Sequence, residues 1–321
     1  SGPTNNYQRV IAPLDDLRER SVYEGEGVWR YEFAAPIPAT YLAPLNDTED
    51  LSDGELTGQN LLQGTYTVGI VLHATYRDRE GVEFVDAGNG TADFLIGTGG
   101  TIEPRAVVQS DNCNVCHTQL RMHGEIMRDV GLCVLCHTAG AEDGNLAGAT
   151  PGQTIEFKVM VHKIHNGLHQ PSVLGVTTDN SGNRVYPTSS AAIVPLEYAD
   201  AEGHLRDFSG VNFPLWPNFN IAMPRDAGYS LLSSSDPDGS GPLLSPRGNE
   251  DRMRMGVTTC AKCHGDPDGA GPMTAPAQGA LHRAQPSRRA CGSCHDDIDW
   301  QKPYVANGAT MPPQDNDSLC K

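Results

Sequence analysis

The chain of 321 residues is long enough for two ordinary domains, yet only 38% of it is hydrophobic and 6% aromatic, with 35 Gly and 23 Pro, so many turns surround little regular core. A formal net charge of −17 repels phosphate backbones and argues against nucleic acid as a partner. The longest apolar runs, such as AAIVPL (191–196), fall far below the roughly 20 residues that cross a bilayer; no charged-then-apolar leader opens the chain, and its start at Ser1 suits a processed or trimmed product.

Residues 20–98 read as strands. GVWRYEFA (27–34) and GTYTVGIVLHATYRD (64–78) are rich in β-branched and aromatic residues, and REGVEFVDAGNGTADFLIG (79–97) sets short runs between Gly-containing turns, as antiparallel hairpins do. The stretch holds no Cys, and His73 in its alternating strand is expected to be a strand-face residue. The expectation is a small all-β domain over 1–105 that binds no cofactor and serves for docking or spacing. TGGTIEPRAV (98–107) is the linker.

Cysteine chemistry begins directly after it. Eight of the nine cysteines form four pairs with two residues between: Cys113 and Cys116, Cys133 and Cys136, Cys260 and Cys263, Cys291 and Cys294. Disulfide frameworks lack this regularity; zinc ribbons share the spacing but need no histidine directly after each pair. Every pair here has one, in CNVCH (113–117), CVLCH (133–137), CAKCH (260–264) and CGSCH (291–295). C-x-x-C-H is the attachment sequence of c-type haem. Two thiols add across the two vinyl groups, the spacing lets both sulfurs reach one porphyrin edge, and the adjacent His lies under the iron. Four haem c groups are therefore expected, all within a second domain over 106–321. Covalent attachment takes place outside the cytoplasmic membrane. The macrocycles also supply the apolar area that the polypeptide lacks. The fold class is accordingly mixed: an N-terminal antiparallel β domain, then a loop-rich, short-helix multihaem domain.

His117, His137, His264 and His295 are the proximal ligands. Seven of the 11 histidines remain for the opposite faces, which favours bis-His coordination over Met, a ligand that raises the potential. His123, six residues after His117, is too near to cap the same iron and is assigned to a neighbouring haem. TIEFKVMVHKIHNG (154–167) reads as a short helix ended by Gly167. His162 and His165, three apart, project from one helix face about 5–6 Å from each other. The two axial ligands of one iron approach from opposite sides, so each must cap a different haem. His169, past Gly167, is expected to be solvent-exposed or a spare ligand. His204 in EGHLRDFSG and His282 in GALHRAQPS are loop candidates near the second pair of motifs, while Met122 and Met160 look like packing residues. DPDGSGP (236–242) and DPDGAGP (266–272) resemble fragments of Ca2+ loops without the rest of that pattern, and Asp-Gly turns are the plainer account.

CNVCHTQLRMHG, LCVLCHT, FKVMVHKIHNG, RDFSGVNFP and PSRRACGSCHDDIDW together resemble the decahaem outer-membrane c-type cytochromes of metal-reducing bacteria, the OmcA/MtrC family. The likeness is specific over about 108–320 and architectural over 20–98. Family members open with a β-barrel-like domain and a pentahaem domain and then repeat the pair; this chain matches the first pair. The resemblance implies bis-His haems, closely spaced irons and an extracellular or outer-membrane-surface location. It further implies an electron-donor cytochrome or outer-membrane conduit as partner, and metal oxides or flavins as acceptors. His123, His162 and His165 fall on its ligand positions. Where the family has His before Asp-Phe this chain has Arg206, so His204 departs from the pattern, and His169 has no counterpart. DNDSLCK (315–321) stops one residue after Cys320, where the family has a fifth C-x-x-C-H; a fragment, or a chain that continues into a fifth haem, is expected. Two other functions stay open: a multihaem reductase with an open haem, although no C-x-x-C-K is present, and a subunit of a haem filament.

Overall fold

The computed structural model describes residues 17–41, 58–138, 143, 153–187, 193–200, 203–212, 249–250, 252–253, 260–266, 274–285, 287–299, 304–306 and 309–311. The chain forms two compact units, one of residues 1–104 with 119–141 and one of residues 105–118 with 142–321. Both are built from two-stranded antiparallel sheets and short helices.

The first unit starts with a helical turn, α1 (Leu17–Arg20), and a short hairpin of β1 (Ser21–Gly25) and β2 (Val28–Tyr31). Its main feature is a second hairpin, β3 (Gly64–Arg77) with β4 (Glu83–Ile96), in unbroken register from Gly64 opposite Ile96 to Arg77 opposite Glu83. Asp78 closes the turn by accepting from the Val82 amide at 2.8 Å. One face at its open end buries Tyr66 against Tyr41, whose hydroxyls lie 3.3 Å apart; Tyr66 also donates to the Leu62 carbonyl. The other face carries Gly69, where a Cβ would fall 2.4 Å from Leu132 Cδ2 and 2.6 Å from Leu135 Cδ1. A helix can approach there because glycine presents no side chain.

That helix is α3 (Val130–Cys136), which contains the second C-x-x-C-H motif's cysteines. Arg128 and Asn89 fix the approach: the Arg128 guanidinium donates to the Val85 and Ala87 carbonyls, and Asn89 bonds both the Arg128 amide and the Ile126 carbonyl. Residues 119–141, which carry a motif, group with the hairpin and not with the other motifs. A glycine on the sheet face and an arginine reaching strand carbonyls cause it.

The second unit holds α2 (Ser110–His117), α4 (Phe157–Asn166), α5 (Ala261–His264), α6 (Leu281–Ala284) and α7 (Arg288–Gly292). Small ladders join β5 (Thr177–Thr178) to β6 (Arg184–Val185), β7 (Glu197–Ala199) to β8 (Leu205–Asp207), and β9 (Tyr304–Ala306) to β10 (Ala309–Met311). Its apolar cluster is small: Val173, Leu196 and Tyr198 are buried, with Ile155, Met160, Ile164 and Phe208 packed around them. Among the described residues no helix is long and apolar enough to cross a membrane.

Candidate haem-binding site

Three of the motifs close a helical turn in the same way. The amides of His137, His264 and His295 donate to the carbonyls of Cys133, Cys260 and Cys291 at 2.9, 3.0 and 3.0 Å. First Cys and His are thus four residues apart on a helix and share a face. Local chemistry starts these turns. Asp129 caps α3 by accepting from the Gly131 amide, and Ser287 caps α7 by accepting from the Ala290 amide. Asn112, buried one residue before Cys113, donates to the Cys263 and Thr274 carbonyls, both at 3.0 Å, and so ties the first motif to the third.

Among the described residues the eight motif cysteines form no disulfide. Burial pushes Cys263 and Cys294 up to about 12 and also raises Cys113 and Cys260. Thiols held protonated are poor thiolate metal ligands. Thioethers carry no charge, so the same burial does not oppose them.

The imidazoles pair. His117 and His165 have ring centroids 6.0 Å apart, His137 and His123 5.8 Å, and His264 and His162 6.4 Å. Each pair joins a motif histidine to one outside the motifs. Two imidazoles trans on one metal have centroids about 6.2 Å apart, from metal–nitrogen bonds of about 2 Å and about 1.1 Å from each nitrogen to its ring centre. The spacing therefore admits an iron. His162 and His165, neighbours on α4, face different motifs. His123 holds its place with a left-handed backbone, φ 50°, in a loop closed by reciprocal Met122 and Met127 amide–carbonyl bonds.

Protonation also suits ligation. Burial, then the neighbouring His165, lowers His162 to about 4; burial, then His282 and His162, lowers His264 to about 4; burial lowers His165. Neutral imidazole is the form with a lone pair to give. His165 Nδ1 bonds the Val161 carbonyl at 2.8 Å, His264 Nδ1 the Val107 carbonyl at 3.3 Å and His282 Nδ1 the Gly279 carbonyl at 2.6 Å. A carbonyl only accepts, so each Nδ1 carries the proton and Nε2 keeps the lone pair.

The remaining candidates differ. His282 lies 4.5 Å from His264, a direct ring contact too short for a metal between them. His204 is 71% exposed on the β7–β8 hairpin and pairs with Asp200, which also binds Arg206; among the described residues no ring contact joins it to a motif histidine. His295 likewise has no described imidazole against it, and the charges acting on it are those of Asp297, Arg184 and Asp296. His73 is exposed on β3.

His169 requires a correction. It is not solvent-exposed but 2% accessible, with Nδ1 on the Arg252 carbonyl at 2.8 Å and Nε2 on Asn212 Oδ1 at 3.0 Å. Gly167, with φ 25°, ends α4 as expected; the chain then turns inward through a 3-10 turn, Gly167–His169, instead of leaving the surface. With both nitrogens engaged, this histidine is a structural group. Sequence reading also missed the carboxylates after the fourth motif, although CHDDID shows them: Asp296 accepts from the Ser172 amide, Ser172 hydroxyl, Gln170 and Lys163, and Asp297 from Arg184. The 236–242 loop, nearly all of 266–272 and the Cys320 segment lie outside the described residues.

Residues 105–194 match the family model of outer membrane cytochromes described as MtrC/MtrF-like, domains II/IV. The match takes in the first two motifs together with His123, His162 and His165, and ends before the third and fourth. No curated protein matches the chain. Over 105–194 the chain is thus similar to domains II/IV of the MtrC/MtrF-like outer membrane cytochromes, a likeness that agrees with an outer-membrane or extracellular-surface location.

Proposed function

We propose that the chain is a four-haem electron conduit that passes electrons from a donor cytochrome or outer-membrane conduit to extracellular acceptors such as metal oxides or flavins. Haem c bound at each motif supplies a one-electron ferric/ferrous couple. Cys113 and Cys116, Cys133 and Cys136, Cys260 and Cys263, and Cys291 and Cys294 hold the groups as thioethers. His117 with His165, His137 with His123, and His264 with His162 would hold three of the irons, and His295 would hold the fourth. His282 and His204 are the further candidates for an axial position.

The observation that carries this function is the set of three imidazole pairs near 6 Å, each joining one motif to one histidine outside the motifs. Four motifs with no imidazoles opposite them would suit open, substrate-binding irons. Paired imidazoles suit electron passage, because a filled sixth position changes little between oxidation states. α4 adds a second support: through His162 and His165 one helix of ten residues serves two motifs, which keeps their groups close. Low-temperature electron paramagnetic resonance of the oxidised protein tests it. Low-spin ferric signals are expected to dominate, with at least three of four haems low-spin; a mainly high-spin spectrum would favour a reductase instead.

A further inference from the structure

The fourth motif has a buried, charged polar frame on one side. Asp297 has a fully buried side chain; Oδ2 takes a 2.7 Å bond from Arg184 Nε, and Oδ1 is buried with no hydrogen-bond partner. Arg184 also grips Glu250 through Nη1, at 2.9 and 3.0 Å, and Tyr186 donates its hydroxyl to Glu250. Next to it Asp296 is bound by Ser172, Gln170 and Lys163, and Gln170, itself fully buried, also donates to the Ser293 carbonyl. Among the described residues of this frame, three carboxylates thus face two cations.

Packing alone does not call for such a frame. Burying charges is costly, and an apolar core of equal volume is often at least as stable. Fixed charge does have one definite effect on a one-electron couple. Reduction removes a positive charge from the iron, so a nearby carboxylate that water cannot screen favours the ferric form.

We propose that the buried Asp297 carboxylate, gripped by Arg184, lowers the reduction potential of the haem of the fourth motif. Asp297 acts through its charge. Arg184, Glu250 and Tyr186 are positioning residues that act through Asp297. The inference rests on the haem function given above and adds to it the electrostatic setting of one haem.

The test is a spectroelectrochemical titration of the four-haem protein, with haem content measured first. Wild-type protein without four covalent haems would defeat the parent function itself. With four present, Asp297→Asn is expected to raise one couple, a quarter of the absorbance change, by about tenfold in its ferric-to-ferrous ratio, or about 59 mV for one electron. Asp297→Glu is expected to restore it, and the other three couples to stay in place. Should Asp297→Asn not carry four haems, Glu250→Gln removes one charge from the same frame and leaves the Arg184–Asp297 contact its own atoms, and a smaller upward shift of one couple is expected. Couples that all stay in place, or that all move together as general loosening would move them, overturn the inference.

Discussion

Replacing His165 or His162 with alanine should open two different haems. His165 stands 6.0 Å from His117 and His162 6.4 Å from His264, while the two themselves lie on one helix, three residues apart. With four motifs in the chain, each substitution removes the sixth ligand from one haem in four, so about a quarter of the haem absorbance should pass from low to high spin. The double variant should convert about half, because the sites do not share an iron and such effects add when sites are independent. Absorption spectroscopy of the ferric protein, with electron paramagnetic resonance to count spins, reads both. The reasoning fails if the two single variants perturb the same haem, or if the double variant converts no more than either alone.

His169→Ala should leave that spectrum unchanged yet lower stability by about 1–3 kcal/mol, because two buried hydrogen bonds lose their partner; a changed spin state in thermally stable protein would contradict this. Gly265→Ala places a Cβ 2.3 Å from Ala275 Cα and 2.4 Å from the Thr274 carbonyl at φ +78°, and should cost about 1–3 kcal/mol and displace His264, seen as a lower melting temperature and altered low-spin signal; wild-type melting would refute it. Asp129→Ala removes the cap of the second motif's helix and should cost about 1 kcal/mol, with Asp129→Asn recovering most of it in the same melting assay.

The four C-x-x-C-H motifs were legible because covalent haem attachment imposes its own spacing on the sequence. The helix 157–166 and its end at Gly167 were legible for a similar reason: a glycine with positive φ marks a stop. Which imidazole faces which motif was only partly so. Spacing along α4 separates His162 from His165, but naming His264 and His117 as their counterparts depends on loops that bring residues 261–264 and 110–117 beside one helix. The grouping of 119–141 with the β hairpin was not legible, because it runs through an absent side chain, Gly69, and through strand carbonyls, which all residues have alike. His169 was misread because position after a helix stop says that the helix ends and not where the chain goes next. The carboxylates Asp296 and Asp297 stood in plain view beside the fourth motif; their burial comes from Ser172, Gln170 and Arg184, more than a hundred residues earlier in sequence.

The central claim, four covalently bound haems, is tested most directly by the intact mass of the denatured protein. A mass above the 34.4 kDa polypeptide by four haem groups is expected, and it should survive extraction with acidified solvent. The bare polypeptide mass, or a mass restored to it by such extraction, would contradict the account.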